Sequence, residues 1–157
     1  ALQLESDYLR VQVAHAYAQY GSGEKEQAME TLDSLLAVSP DDGSTSYALS
    51  RILVQEGIDL PRASNLARRA AFSSFLGYDE WMNLCRAYYR SNRFDLCRGE
   101  AGKANRKFEN RPGPYFWMGM AQYRETNQDA KKNLRKAIDL GLTGDELTQA
   151  REILAKL

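Results

Sequence analysis

Trp81-Met82-Asn83-Leu84-Cys85-Arg86-Ala87-Tyr88-Tyr89-Arg90 is followed by Ser91-Asn92-Arg93-Phe94 and then by a run through Cys97, Ala101 and Ala104. Trp81, Leu84 and Tyr88 recur at helical spacing, the joining residues are few and polar, and small residues punctuate both runs. This pattern predicts two antiparallel helices joined by a tight turn.

The same layout lies on both sides of it. Tyr8, Leu9, Val11, Val13, Ala14, Ala16, Tyr17 and Tyr20 predict an amphipathic helix capped at Ser6 or Asp7 and ended by Gly21-Ser22-Gly23. Ala28, Met29, Leu32, Leu35 and Leu36 mark its partner, closed by Ser39-Pro40-Asp41-Asp42-Gly43. Tyr47, Leu49, Ile52 and Leu53 open the next pair. Gly57 ends that helix, and Pro61 suits the first turn of the one bearing Ala63, Leu66, Ala67, Ala70, Ala71 and Phe75. After Arg111-Pro112-Gly113-Pro114 come Tyr115, Phe116, Met118, Gly119 and Tyr123, then Ala130, Leu134, Ala137 and Ile138. Thr143-Gly144-Asp145-Glu146 reads as a capping box for a last helix with Leu147, Ala150, Ile153, Leu154 and Leu157 on one stripe.

Two series of small residues keep step along the chain. Ala14, Ser50, Cys85 and Gly119 are spaced by 36, 35 and 34, and Ala28, Ala63, Cys97 and Ala130 by 35, 34 and 33. Where two helices cross most closely, a larger side chain would hold the backbones apart, so these positions predict the crossings.

On these residues the chain resembles the tetratricopeptide repeat, with Trp, two residues, Leu-Gly, two residues, Tyr, then Ala, three residues, Phe and a closing Pro. Trp81, Leu84 and Tyr88 match, while Cys85, Cys97 and Ala101 stand where the family has Gly, Ala and Phe. In the first pair Val13, Ala14, Tyr17, Ala28, Leu32 and Pro40 fit, with about two residues inserted at Gly21 to Gly23. Leu49, Ser50, Leu53, Ala63, Ala67 and Ala70 fit the second more loosely, and Tyr115, Met118, Gly119, Ala130, Leu134 and Ala137 fit the fourth. The resemblance implies an all-α, right-handed superhelical solenoid of about nine helices. It would form a single domain, with repeats at 7–42, 43–77, 78–111 and 112–142 and a capping helix at 143–157. Related helical-pair repeats of slightly longer period are the rival fold.

In such a solenoid the first helix of each pair lines a concave groove. Carried over residue by residue, the resemblance places there His15 and Gln19; Tyr47, Arg51 and Gln55; Met82, Arg86, Tyr89 and Arg90; and Phe116, Met120, Tyr123 and Arg124. Aromatics, methionines and arginines together favour binding hot spots, and Arg51, Arg86 and Arg90 would suit carboxylates on an extended or helical peptide. Tyr17, Tyr88 and Trp81 read as core. Family members that clamp a chaperone's terminal carboxylate carry Lys and Asn where this chain has Val11 and His15, which argues against that ligand. Cys85 and Cys97 should face one another at a crossing, either as two buried thiols or as a disulfide.

Composition narrows the function. With 43% hydrophobic and 27% charged residues and a mean hydropathy of −0.56, the chain reads as soluble, and no apolar run approaches membrane-spanning length. It begins at Ala1 without an initiator Met or a leader, so a processed or excised piece is expected and its compartment stays open. Formal net charge is zero, yet residues 1–78 carry 6 basic and 10 acidic side chains and residues 79–157 carry 15 and 11. Eight bases between Arg86 and Arg111 form a basic belt. The sole histidine has no Cys, Asp or Glu cluster beside it, so neither a metal nor any other cofactor is expected, and no general base or phosphate loop marks an enzyme. The leading expectation is a non-catalytic protein interaction module for a partner with acidic residues. A structural or oligomerising segment of a larger assembly is the alternative, and RNA binding through the belt is less favoured.

Overall fold

The computed structural model describes residues 2–73 and 77–157, with side chains from residue 7 onward. The expected core position Phe75 lies outside them. The described residues form nine α-helices and no strand: α1 (Leu2–Gly21), α2 (Lys25–Val38), α3 (Gly43–Glu56), α4 (Leu60–Ala71), α5 (Tyr78–Arg90), α6 (Phe94–Lys107), α7 (Pro112–Arg124), α8 (Asp129–Asp139) and α9 (Gly144–Leu154). They fall into two compact units, Ala1–Glu80 and Trp81–Leu157, divided just inside α5.

In the first unit α1 pairs with α2 and α3 with α4, and α3 also packs on both α1 and α2. Ala16, Ala28, Leu32, Leu49, Ala63 and Ala67 are fully buried between them. Ser50 adds a hydrogen bond across the α3–α4 crossing, its hydroxyl donating to the Ala63 carbonyl at 2.9 Å. The Asp42 side chain caps α3, accepting from the Thr45 backbone N–H at 2.7 Å and the Thr45 hydroxyl at 2.6 Å. Partial burial works against ionisation of this carboxyl, but the Thr45 and Ser44 hydrogen bonds outweigh it and hold its pKa below the usual carboxylate value. Asp59 caps α4 just ahead of Pro61, which sits in the first turn as its missing N–H predicts.

In the second unit α7 packs against α6, α8 and α9, and α9 also packs on α8. Leu84, Cys85, Cys97, Ala101, Phe116, Ala130 and Leu134 are fully buried. Trp81 joins α5 to α6: its Nε1–H donates to Glu100 at 3.2 Å, and its ring meets Phe108 edge-on at 5.8 Å. Gly119 marks a close crossing of α7 and α8. A Cβ there would lie 2.7 Å from Leu134 Cγ and 3.1 Å from the Leu134 backbone nitrogen, so α8 can lie on α7 only because that side chain is missing.

Four expectations are corrected. Ala14 is exposed, and Ala16 is the fully buried small residue of α1. The turns explain why. The turn of each helix pair holds a residue in the left-handed region at the same place, Gly23 (φ 93°), Gly57 (72°), Asn92 (57°) and Thr126 (55°), with Asp59 (39°) a second one between α3 and α4. In each turn the following N–H bonds back across five residues, as Glu24 to Gln19, Ile58 to Leu53, Arg93 to Tyr88 and Asn127 to Gln122, at 2.8–2.9 Å. These turn residues are spaced by 34, 35 and 34, and each lies seven after Ala16, Ser50, Cys85 or Gly119. The register therefore needs no insertion at Gly21 to Gly23. The cap expected at Ser6 or Asp7 falls inside α1, which starts at Leu2. At α9 Thr143 occupies the N-cap position without a side-chain cap bond, and the Glu146 carboxylate of the expected capping box pairs with Arg86.

Candidate functional site

The corrected register moves one residue into view. The position after each small residue holds Tyr17, Arg51, Arg86 and Met120. Tyr17, which the hydrophobic pattern assigns to the core, is half-buried and belongs to a cluster on the first helices of unit one. The Arg51 guanidinium carbon lies 5.6 Å from the Tyr17 ring centroid and 5.5 Å from that of Tyr47, so the cation is held by two rings contributed by α1 and α3. No carboxylate among the described residues pairs with Arg51. Burial pushes the Tyr47 hydroxyl up to about 12 against the opposing pull of Arg51, and raises Tyr17 in the same way. Both hydroxyls therefore stay protonated at neutral pH.

The other candidates of unit one stand apart from this cluster. His15 and Gln55 are not fully buried, and neither meets Arg51 or its tyrosines in a ring contact or ion pair. Gln19 is half-buried and accepts from the Thr31 hydroxyl at 3.1 Å, which ties it to α2. Tyr20 donates to Glu56 at 2.6 Å, and Lys25 pairs with the same carboxylate at 2.5 Å.

In unit two the candidates divide by depth. Met82, Phe116 and Met120 are buried, while Tyr89 and Tyr123 are half-buried and Arg86 and Arg90 are exposed. The side chains that meet do so around Trp117, which the sequence pattern does not single out. Arg86 lies 5.7 Å from its ring centroid, Tyr89 packs against it at 5.7 Å, and Phe116 meets it at 4.9 Å. Trp117 is only 4% exposed, and its Nε1–H has no acceptor among the described residues. Tyr89 also packs on Phe94 at 5.4 Å, and Arg124 covers that ring at 5.0 Å. Arg86 differs from Arg51 in having an acid: its Nη2 is 3.1 Å from Glu146 on α9.

The basic belt is dispersed. Arg98 pairs with Glu125 at 3.0 Å and Lys103 with Glu100 at 2.7 Å, Arg93 covers the Tyr88 ring, and Lys107 lies over Trp81 and Phe108. Cys85 and Cys97 are free and buried, and the Cys97 thiol donates to the Trp117 carbonyl at 3.7 Å. Burial, reinforced by the neighbouring Cys97, pushes the Cys85 thiol well up, which disfavours a reactive thiolate. Among the described residues no three His, Cys, Asp or Glu gather to hold a metal ion, and no helix is long and apolar enough to cross a membrane.

Antiparallel helix pairs, repeating every 34 or 35 residues about a small crossing residue and a left-handed turn, define the tetratricopeptide-type helical repeat. Solved structures carry the same fold. MamA of strain MSR-1 superposes with a TM-score of 0.75 at 19% identity, over 84% of this chain and 76% of that one. A thermophilic tetratricopeptide-repeat protein of Thermus thermophilus gives 0.72 at 18%, over 94% and 80%. PilF of Pseudomonas aeruginosa gives 0.73 at 17%, over 96% and 77%. No protein-family model and no curated protein matches the chain by sequence.

Proposed function

We propose that the chain is a non-catalytic protein–protein interaction scaffold whose first-in-pair helices hold an acidic peptide or helix. The observation that carries this reading is Arg51. Its guanidinium is fixed by Tyr17 and Tyr47, partly exposed, and unpaired with any carboxylate among the described residues. A guanidinium already ordered by its neighbours loses less side-chain freedom when it takes a partner carboxylate in two parallel hydrogen bonds. The flanking tyrosines supply polar hydroxyls and flat apolar contact in the same place. Arg86 on Trp117 repeats the motif in unit two, with Glu146 occupying the place a partner acid would take.

The test is selection from a displayed library of acidic peptides, followed by affinity measurement on Arg51→Glu and on Arg86→Glu with Arg90→Glu. Each variant is expected to lose about tenfold or more, the order of one charge-assisted contact, with unchanged helicity and melting. Retention of full affinity by Arg51→Glu would refute the assignment. A second reading, a self-associating or assembly segment, is favoured by Tyr8 and Val11, which are 62% and 64% exposed one helical turn apart on α1.

A further inference from the structure

We propose that unit two carries a second docking site, on the groove formed by α6, α7 and α8, and that its occupant is an acidic polypeptide segment. This site lies apart from the arginine and aromatic clusters described above and shares no residue with them. The groove is open and encloses about 840 Å³. Lys131, Lys132, Arg135 and Lys136 line it from α8, at spacings that place them along one side of the helix. None of the four pairs with a carboxylate among the described residues, whereas Arg86, Arg98 and Lys103 of the same unit each do. Four such cations therefore lie together on one side of a single helix and face one groove, whereas the bases of the belt are spread over α5, α6 and the turns after them. Asp139 is the single carboxylate in the lining.

The rest of the lining distinguishes a polypeptide from a bare polyanion. Tyr115 and Met118 of α7 supply apolar surface, suited to a flat or branched side chain. Asn105 and Gln128 add amides to the lining, which can both donate to and accept from a peptide backbone, and Asn133 adds a third whose NH2 already donates to Gln122. Asp139 would repel a phosphate chain but can accept a backbone N–H. Four cations, three amides, one carboxylate acceptor and the apolar surface of Tyr115 and Met118 fit a chain of alternating carboxylate and apolar side chains better than a bare polyanion, which has nothing to place on the apolar part.

The probe is a fluorescein-labelled peptide of repeating Glu-Glu-Leu, titrated against the whole chain by anisotropy. The triple reversal Lys132→Glu, Arg135→Glu and Lys136→Glu, at positions that are not buried, is expected to weaken binding by about tenfold or more, with the helical signal intact. The neutral triple variant, Lys132→Gln with Arg135→Gln and Lys136→Gln, should fall between. In an Arg51→Glu background, which removes the Arg51 cluster as a competing site for the acidic probe, the α8 reversal should weaken the remaining binding by a similar factor, which separates failure of this site from failure of the Arg51 cluster. Replacing Leu by Ser in the peptide at equal charge should weaken it further. No binding by the unaltered chain overturns the proposal, as does a triple reversal without effect. So does α8-dependent binding of inorganic polyphosphate, RNA or phosphatidylserine vesicles that exceeds that of the peptide.

Discussion

The two units build the same helix pair with different residues at three corresponding places. At the turn, unit one uses Gly23 and Gly57, and unit two uses Asn92 and Thr126. At the crossing, unit one places Ala16 and Ser50, and unit two places Cys85 and Gly119. On the exposed side of the first helices, unit one leaves Arg51 on its tyrosines without an acid among the described residues, whereas unit two closes Arg86 with Glu146. The backbone tolerates these exchanges because each place demands a physical property, not a particular residue. The turn needs a left-handed backbone, the crossing needs small volume, and the exposed face is free to vary.

The sharpest break in the comparison is expected at the crossing. Gly119→Ala puts a methyl 2.7 Å from Leu134 Cγ and 3.1 Å from a backbone nitrogen, so helix α8 itself must move. Overpacking of this kind costs about 1–3 kcal/mol, with the helix-propensity gain of about 1 kcal/mol opposing it. Larger residues should cost more, and Gly119→Val is expected to lower the melting midpoint by several degrees. In unit one Ser50→Ala removes only the hydroxyl bonded to Ala63, worth about 1 kcal/mol. Denaturant melts of both variants decide the matter, and equal losses would mean that the two crossings are equally tight.

The next effect has the opposite sign. Thr126 holds a branched side chain at φ 55°, a conformation that costs a non-glycine residue about 1–3 kcal/mol, whereas Asn92 tolerates its similar φ of 57° better. Thr126→Gly relieves that strain while loosening the unfolded chain, so a net gain of about 1 kcal/mol is expected. The matching change in unit one, Gly57→Ala, should lose about 1 kcal/mol at φ 72°. A loss on Thr126→Gly, measured by chemical unfolding, would show that the threonine side chain contributes more there than its backbone costs.

These places differ in how far the sequence announces them. The helix pairs, their order and the second small series, Ala28, Ala63, Cys97 and Ala130, are legible because burial at a helical period constrains composition directly. The register of α1 is not. Ala14 and Ala16 are equally small and two residues apart, so volume alone cannot separate them, and only the left-handed turn at Gly23, seven residues after Ala16, does so. That two-residue ambiguity hides Tyr17 among the core aromatics. Trp117 goes unmarked for a related reason: it neighbours Phe116 in sequence, and periodicity does not say which of two adjacent aromatics meets an arginine. Ion pairing is less legible still. Arg86 and Glu146 are 60 residues apart, and nothing local shows that α9 brings them together or that Lys131, Lys132, Arg135 and Lys136 of α8 pair with no carboxylate among the described residues.

The smallest effect on stability should come from that pair, and it bears most directly on function. Arg86 and Glu146 side chains are 45% and 28% exposed, so their attraction is screened, and an exposed pair of this kind contributes at most about 1 kcal/mol. Glu146→Gln is therefore expected to change the melting midpoint by only a few degrees at most. Its effect on binding should be larger, because it removes an acid that competes with a partner carboxylate for the same guanidinium. If the Arg86 cluster of unit two resembles the Arg51 cluster in what it binds, Glu146→Gln should tighten an acidic ligand that depends on Arg86, and the gain should vanish in Arg86→Gln. Among the described residues Arg51 has no such internal competitor, so ligands that depend on it should be indifferent to residue 146. A gain that persists without Arg86 would show that residue 146 acts through the general field of the molecule, and the likeness between the two clusters would then be one of form only.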